Sequence, residues 1–257
     1  MRGTDGMNGQ GMVRLMGLAL LGWLAGCAAS GPADLPVERG LSWFSYLNGD
    51  DLRRACGQDR ADRFRLVFNA DYNHHIRTYD IAADPEKGGA AVVARVIETA
   101  DLARISPTDP LGPWRGQRAE TRLTPRQFAE FVRTLSDSGA FEPLPGTLRL
   151  PSNGIYWLVN GCRSGAWFFN VYPYPTDRFA DARFAGPLER MDGTGVPFPP
   201  LPAPGDAPRM LPPASSRDDN GVFFELEVNR DGLVGPTHLF GPWKLMGQDP
   251  DRQHLLG

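Results

Sequence analysis

The densest group of side chains able to bind or react is Asp71-Tyr72-Asn73-His74-His75. Imidazoles and carboxylates are common metal ligands, and imidazoles and phenols carry protons in catalysis. Adjacent histidines on a strand point to opposite faces, so one metal ion does not readily take both. Every second residue shares a face, which lines up His75, Arg77 and Tyr79. A guanidinium between an imidazole and a phenol suits an anionic ligand. These three are the candidate ligand-site residues, and the plainer reading of them is a polar hairpin rim.

A second echo of ligand chemistry lies between Ser216 and Glu227. Asp218, Asn220, Gly221 and Glu227 fall at positions three, five, six and twelve of a calcium loop. Position one is serine rather than aspartate, and prolines stand where the entering helix belongs. A polar turn is the simpler reading, so no metal site is expected. The chain has no G-x-S-x-G elbow, no H-E-x-x-H helix and no Walker loop. Catalytic residues are therefore unassigned, and no cofactor is expected. With 27 basic against 30 acidic residues and a net charge of −3, no cationic excess exists to neutralise phosphates. Nucleic acid is not an expected partner.

The start of the chain has a different character. Residues 1–11 are polar, and then Arg14 precedes the apolar run LMGLALLGWLAG from Leu15 to Gly26. A cation before about a dozen apolar residues is the layout of a secretory signal. A membrane span needs about 20 such residues, so this run is too short to be one. Initiation at Met12, rather than Met1 or Met7, would give the signal an ordinary length.

The run closes on Leu24-Ala25-Gly26-Cys27, which resembles the lipobox of bacterial lipoproteins. The resemblance covers these four residues and the run before them. It implies that the Cys27 thiol carries a diacylglycerol, that the signal is cut just before Cys27, and that the new N-terminus is acylated. Several acyl chains anchor firmly, since each buried CH₂ contributes about 0.8 kcal/mol. The residue after the cysteine is Ala28, not the aspartate that tends to retain such proteins in the inner membrane of Gram-negative cells. In a Gram-negative host the resemblance thus implies the outer membrane, facing the periplasm. The implied partners are a membrane, through the lipid, and an envelope protein.

With Cys27 assigned to lipid, Cys56 and Cys162 remain as an even pair in an oxidising compartment. A disulfide between them would close a loop of about 100 residues and contribute at most about 4.7 kcal/mol. The alternative is two buried free thiols. Structural zinc sites call for closely spaced cysteines, which these are not.

The elements that position these residues follow from periodicity and turn chemistry. With 41% hydrophobic residues a sizeable core can form, while 24 prolines and 30 glycines predict long irregular connections. Val37 to Ala55 is apolar at helical spacing but interrupted by Asn48-Gly49-Asp50-Asp51, so two short helices are as reasonable as one. Phe64 to Phe68 and His74 to Ile81 form a hairpin across a polar turn. AAVVARVIE, after Asp84 to Gly89, reads as a strand apolar on both faces, expected at the sheet centre.

Thr124-Pro125-Arg126-Gln127 opens the clearest helix, with a capping box and proline at the first helical position. Phe128, Phe131, Val132 and Leu135 form its apolar stripe, and Gly139 ends it. Ile155 to Asn160 and Ala166 to Tyr172 make a second, aromatic hairpin, with Cys162 expected at its turn. Phe179 to Arg190 reads as a further short helix. Val222 to Val228 is β-prone, and Asn229 to Gly232 is a turn.

The expected organisation is a signal peptide over 1–26, a tether over 27–36 and an α+β domain over 37–190. A proline-rich linker follows over 191–220, then a C-terminal β segment over 221–257 that packs back on the domain. Because turns rather than crossover helices join the strands, the sheet should be largely antiparallel. The functional expectation is an envelope lipoprotein that binds or builds rather than catalyses. The alternative is a hydrolase acting on an envelope or periplasmic substrate.

Overall fold

The computed structural model describes residues 43–98, 116–206 and 223–240. The signal peptide, the lipobox with Cys27, the tether, and Ser216 to Gly221 of the calcium-loop echo lie outside these residues. Among the described residues, no helix is long and apolar enough to cross a membrane.

The fold is α+β, and among the described residues every strand pairing is antiparallel. After a helical stretch at 43–48 come α1 (Asp50–Asp59), β1 (Arg63–Ala70), β2 (His75–Ala83), β3 (Ala90–Glu98) and β4 (Gln117–Leu123). Then follow α2 (Pro125–Asp137), β5 (Leu148–Pro151), β6 (Ile155–Arg163) and β7 (Ala166–Pro173). Two short helices, α3 (Asp177–Ala180) and α4 (Ala185–Met191), precede β8 (Phe223–Asn229) and β9 (Gly232–Phe240). The main sheet has the order β4-β3-β2-β1-β6-β7, and a second sheet has the order β5-β8-β9.

Alternation along each strand sends side chains to two separate cores. One face carries Phe64, Leu66 and Phe68 of β1, Tyr79 and Ile81 of β2, and Trp157 and Val159 of β6. Phe131 and Leu135 of α2, with Phe184 and Leu188, cover that face. The other face carries Val67, Ile76, Leu158, Phe169 and Val171. It lies beneath Trp43, Tyr46 and Leu47 and beneath Phe224, Leu226 and Val228 of the small sheet.

Helix α2 forms where its sequence puts it. Thr124 accepts from the Gln127 N–H, and the Gln127 side chain accepts from the Thr124 N–H, which satisfies two otherwise orphaned donors. At the other end Gly139 takes a left-handed φ of 67°. The Ala140 N–H then returns to the Leu135 carbonyl at 3.0 Å, and the Gly139 N–H to Ser136 at 2.9 Å, a Schellman closure. β7 receives this end, as Asn170 Nδ2 donates to the carbonyls of Gly139 and Glu142 and Tyr172 Oη to that of Ser138.

Cys56 of α1 and Cys162 of β6 are joined by a disulfide, with their Cα atoms 5.3 Å apart. Cys162 sits within β6, opposite Trp167, and not at the hairpin turn. The turn is Ser164-Gly165, with φ of 52° and 82°. A two-residue loop needs positive φ at both positions to match strand twist, and that requirement fixes the turn two residues later than expected.

Other expectations are corrected too. β3 is second from the edge rather than central, and its buried and half-buried residues alternate. Alanine at 90, 91 and 94 makes both faces look apolar in sequence without demanding full cover. The polar edge strand β4 and the four-residue β5 carry too little hydrophobic signal to be read in advance. The region from 179 to 190 splits into α3 and α4, because the chain turns at 181–184. Residues 191–198, expected to begin a linker, pack on the first core through Met191 and Phe198.

Candidate functional site

β2 brings His75, Arg77 and Tyr79 to one face, as strand alternation requires. All three are buried, and Arg77 and Tyr79 are fully enclosed. The enclosure comes from the segment following α4. Arg77 Nη1 donates to Asp192 Oδ2 at 2.5 Å, and Tyr79 Oη donates to the same oxygen at 2.6 Å. Asp192 Oδ1 accepts from the Thr194 N–H at 2.8 Å and from Thr194 Oγ1 at 2.5 Å. A carboxylate accepts about four hydrogen bonds, so this one is saturated. Burial by itself would raise its pKa, but the Thr194 and Tyr79 donors and the Arg77 charge outweigh burial and hold it below the usual carboxylate range. Tyr79 moves the other way, because burial and the adjacent Asp192 charge both push its pKa up.

The remaining donors of Arg77 extend this anchorage. Nη2 donates to the carbonyls of Val196 at 2.7 Å and Pro197 at 3.0 Å, and the guanidinium lies 4.0 Å from the centre of the Phe198 ring. Strand register places Arg77 opposite Phe68, Phe68 opposite Trp157, and Trp157 opposite Tyr172. One cation and three aromatic rings thus form a row across four strands. Phe198 packs on Phe68 and Trp157, with ring centroids 5.4 and 6.1 Å away. Phe184 closes the row over Trp157 and Tyr172.

His75 lies beside this row, edge-on to Phe68, with Nδ1 3.4 Å from Glu98 Oε1. Its Nε2 and the Nε of Arg77 are buried without hydrogen-bond partners among the described residues. Burial lowers the His75 pKa, the Arg77 charge lowers it further, and Glu98 opposes both. His74 is not on the strand. It sits in the preceding turn, largely exposed, 3.8 Å from Asp71. Glu227 lies on β8, 3.7 Å from Arg149. Among the described residues, no group of three His, Cys, Asp or Glu is arranged to hold a metal ion.

A second buried cation, which the sequence reading missed, sits on the opposite face. Arg65 of β1 forms a bidentate pair with Asp51 of α1 at 2.8 and 2.9 Å and donates to Asp80 at 2.7 Å. It also reaches the Tyr46 carbonyl at 2.9 Å and stacks 3.7 Å above the Tyr46 ring. Burial alone would raise the Asp51 pKa, but the Arg65 hydrogen bonds and charge hold it below the usual range. The available signal was an arginine between Phe64 and Leu66 in an otherwise apolar run that ends at Phe68. Arg65 ties the N-terminal helices to one face of the sheet, and Arg77 ties the 192–198 segment to the other.

These features define a class by architecture: an α+β protein whose six-stranded antiparallel sheet is covered on both faces and pinned by a buried arginine on each. The chain matches no protein family, no curated protein and no solved structure.

Proposed function

We propose that this chain is a binding or structural module of the bacterial cell envelope, displayed from a membrane by lipid on Cys27, and not an enzyme. The observation supporting the non-enzymatic part is the seating of Asp192 between Arg77 and Tyr79. The place where an anionic substrate would meet a cation and a phenol is taken by the chain's own carboxylate. The address rests on Leu24-Ala25-Gly26-Cys27 behind its apolar run. The Cys56–Cys162 bridge agrees with an oxidising compartment.

The test is metabolic labelling with a fatty acid, followed by membrane fractionation. Wild type should carry label and sediment with membranes. Cys27→Ala should carry none, and should be released or left uncleaved. Equal labelling of the two would remove the lipid anchor from the proposal.

A further inference from the structure

We infer that the row Arg77–Phe68–Trp157 and the adjoining Tyr174 form a docking groove for extended, proline-rich peptide, occupied in this structure by residues 192–202 of the chain itself. The inference rests on the binding-module reading above and names its site and ligand chemistry.

The first observation is the way this segment is held. Arg77 grips the carbonyls of Val196 and Pro197, and the Tyr174 hydroxyl donates to the carbonyl of Pro202. Phe198 fills the aromatic step between Phe68 and Trp157. Donors aimed at the carbonyls of a proline-rich strand, beside aromatic rings, are how polyproline-type ligands are recognised. The segment is long enough to cross the row: from β2 to β7 is three strand spacings, roughly 14 Å. Val196 to Pro202 extended as polyproline covers roughly 19 Å.

The second observation is what the segment lacks. Among the described residues, no backbone–backbone hydrogen bond joins 193–202 to the rest of the protein. Much of the segment is half-buried or exposed, and Leu201 is 47% exposed. The stretch is held by side-chain contacts alone, at Asp192, at the Val196, Pro197 and Pro202 carbonyls and at Phe198, and these can be released without breaking a sheet ladder. The groove itself is made of strand residues and would persist once the segment has left. A partner segment with a carboxylate, a Val-Pro-like pair and an aromatic residue at the right spacing would meet the same hooks. The resident segment competes at a high effective concentration because it is covalently attached.

The experiment uses the full-length chain in detergent and a fluorescent peptide with the sequence of residues 191–203, with a scrambled peptide as control. Phe198→Ala removes the resident ring and leaves the groove intact. It should bind the peptide at least tenfold more tightly than wild type, and Tyr174→Phe added to it should weaken that binding several-fold. A folded Phe198→Ala protein that ignores the peptide, or binds the scrambled one equally, overturns the groove. Limited proteolysis of wild type decides the matter if the variant does not fold. Excess peptide should speed cleavage within 192–202 several-fold by displacing the segment, and cleavage there that the peptide leaves unchanged overturns the inference. Exchange of the segment between two copies, seen as a peptide-sensitive dimer, supports it. A lipidated chain whose groove ignores the peptide would leave the envelope-module reading standing and remove only this site.

Discussion

Arg77 and Asp192 lie 115 residues apart in the chain, and their side chains meet at 2.5 Å in the interior, exposed by only 1% and 5%. A buried ion pair of this kind is weak evidence for net stability, because both charges were first taken out of water. Its removal by halves is a different matter. Asp192→Asn keeps the shape and leaves the guanidinium without a counter-charge, which should cost about 3–5 kcal/mol. The double change Arg77→Met with Asp192→Leu should cost much less. Urea unfolding of wild type and the two variants measures this, and a double variant worse than the single one would show that the pair itself stabilises the fold.

His75 gives a pH dependence whose sign follows from its surroundings. Arg77, Glu98 and Asp192 are the charged groups that act on it. Burial and Arg77 lower its folded pKa below the ordinary 6.5, so the unfolded chain binds the proton more readily. The stabilisation from keeping this imidazole neutral is complete above about pH 6.5 and fades as pH falls from there towards the folded pKa. The depressed carboxylates Asp51 and Asp192 act in a separate window, losing their contribution as pH falls below about 4, the unfolded carboxylate value. The urea midpoint of wild type should therefore decline between pH 7 and 5, and His75→Gln should flatten that decline. An unchanged slope in the variant would mean the proton is taken up elsewhere.

Helix α2 should be anchored through one face only. Phe131 is buried, and Arg133 points to solvent. Phe131→Ala should cost about 3–5 kcal/mol through lost burial and the cavity left behind. Arg133→Ala should change stability by less than about 0.5 kcal/mol. Chemical denaturation measures both, and an Arg133→Ala effect exceeding that of Phe131→Ala would contradict this docking.

The disulfide closes a loop with a sequence separation of 106, so its loss should matter more than that of a short staple. Loop-closure entropy puts the contribution of a loop of about 100 residues near 4.7 kcal/mol, with the measured figure expected to fall below this. A non-reduced digest of the exported protein should yield the linked Cys56 and Cys162 peptides. Cys56→Ala with Cys162→Ala should unfold at lower urea concentration. Two alkylatable thiols in the native protein would refute the bridge.

What the sequence determined by itself is local. The capping box at Thr124, the stripe from Phe128 to Leu135 and the stop at Gly139 are written within about sixteen residues, and their hydrogen bonds close between near neighbours. The first hairpin, the strand Ala90–Glu98 and the turn before Gly232 are legible for the same reason. So is the alignment of His75, Arg77 and Tyr79, which strand alternation alone imposes. Tertiary structure decided what those side chains meet. Nothing near Arg77 in sequence indicates Asp192, and nothing near Arg65 indicates that Asp51 and Asp80 would converge on it. β4 and β5 were illegible because an edge strand and a four-residue strand owe their form to the neighbour they pair with. The 192–202 segment read as a linker because proline density is a local property. Its seat on the sheet depends on a row of Arg77, Phe68, Trp157 and Tyr172 that exists only once four separated strands are in register. A pattern with a period of two or 3.6 residues survives in one dimension, whereas a charge pair or a groove assembled from distant strands does not exist until the chain has folded.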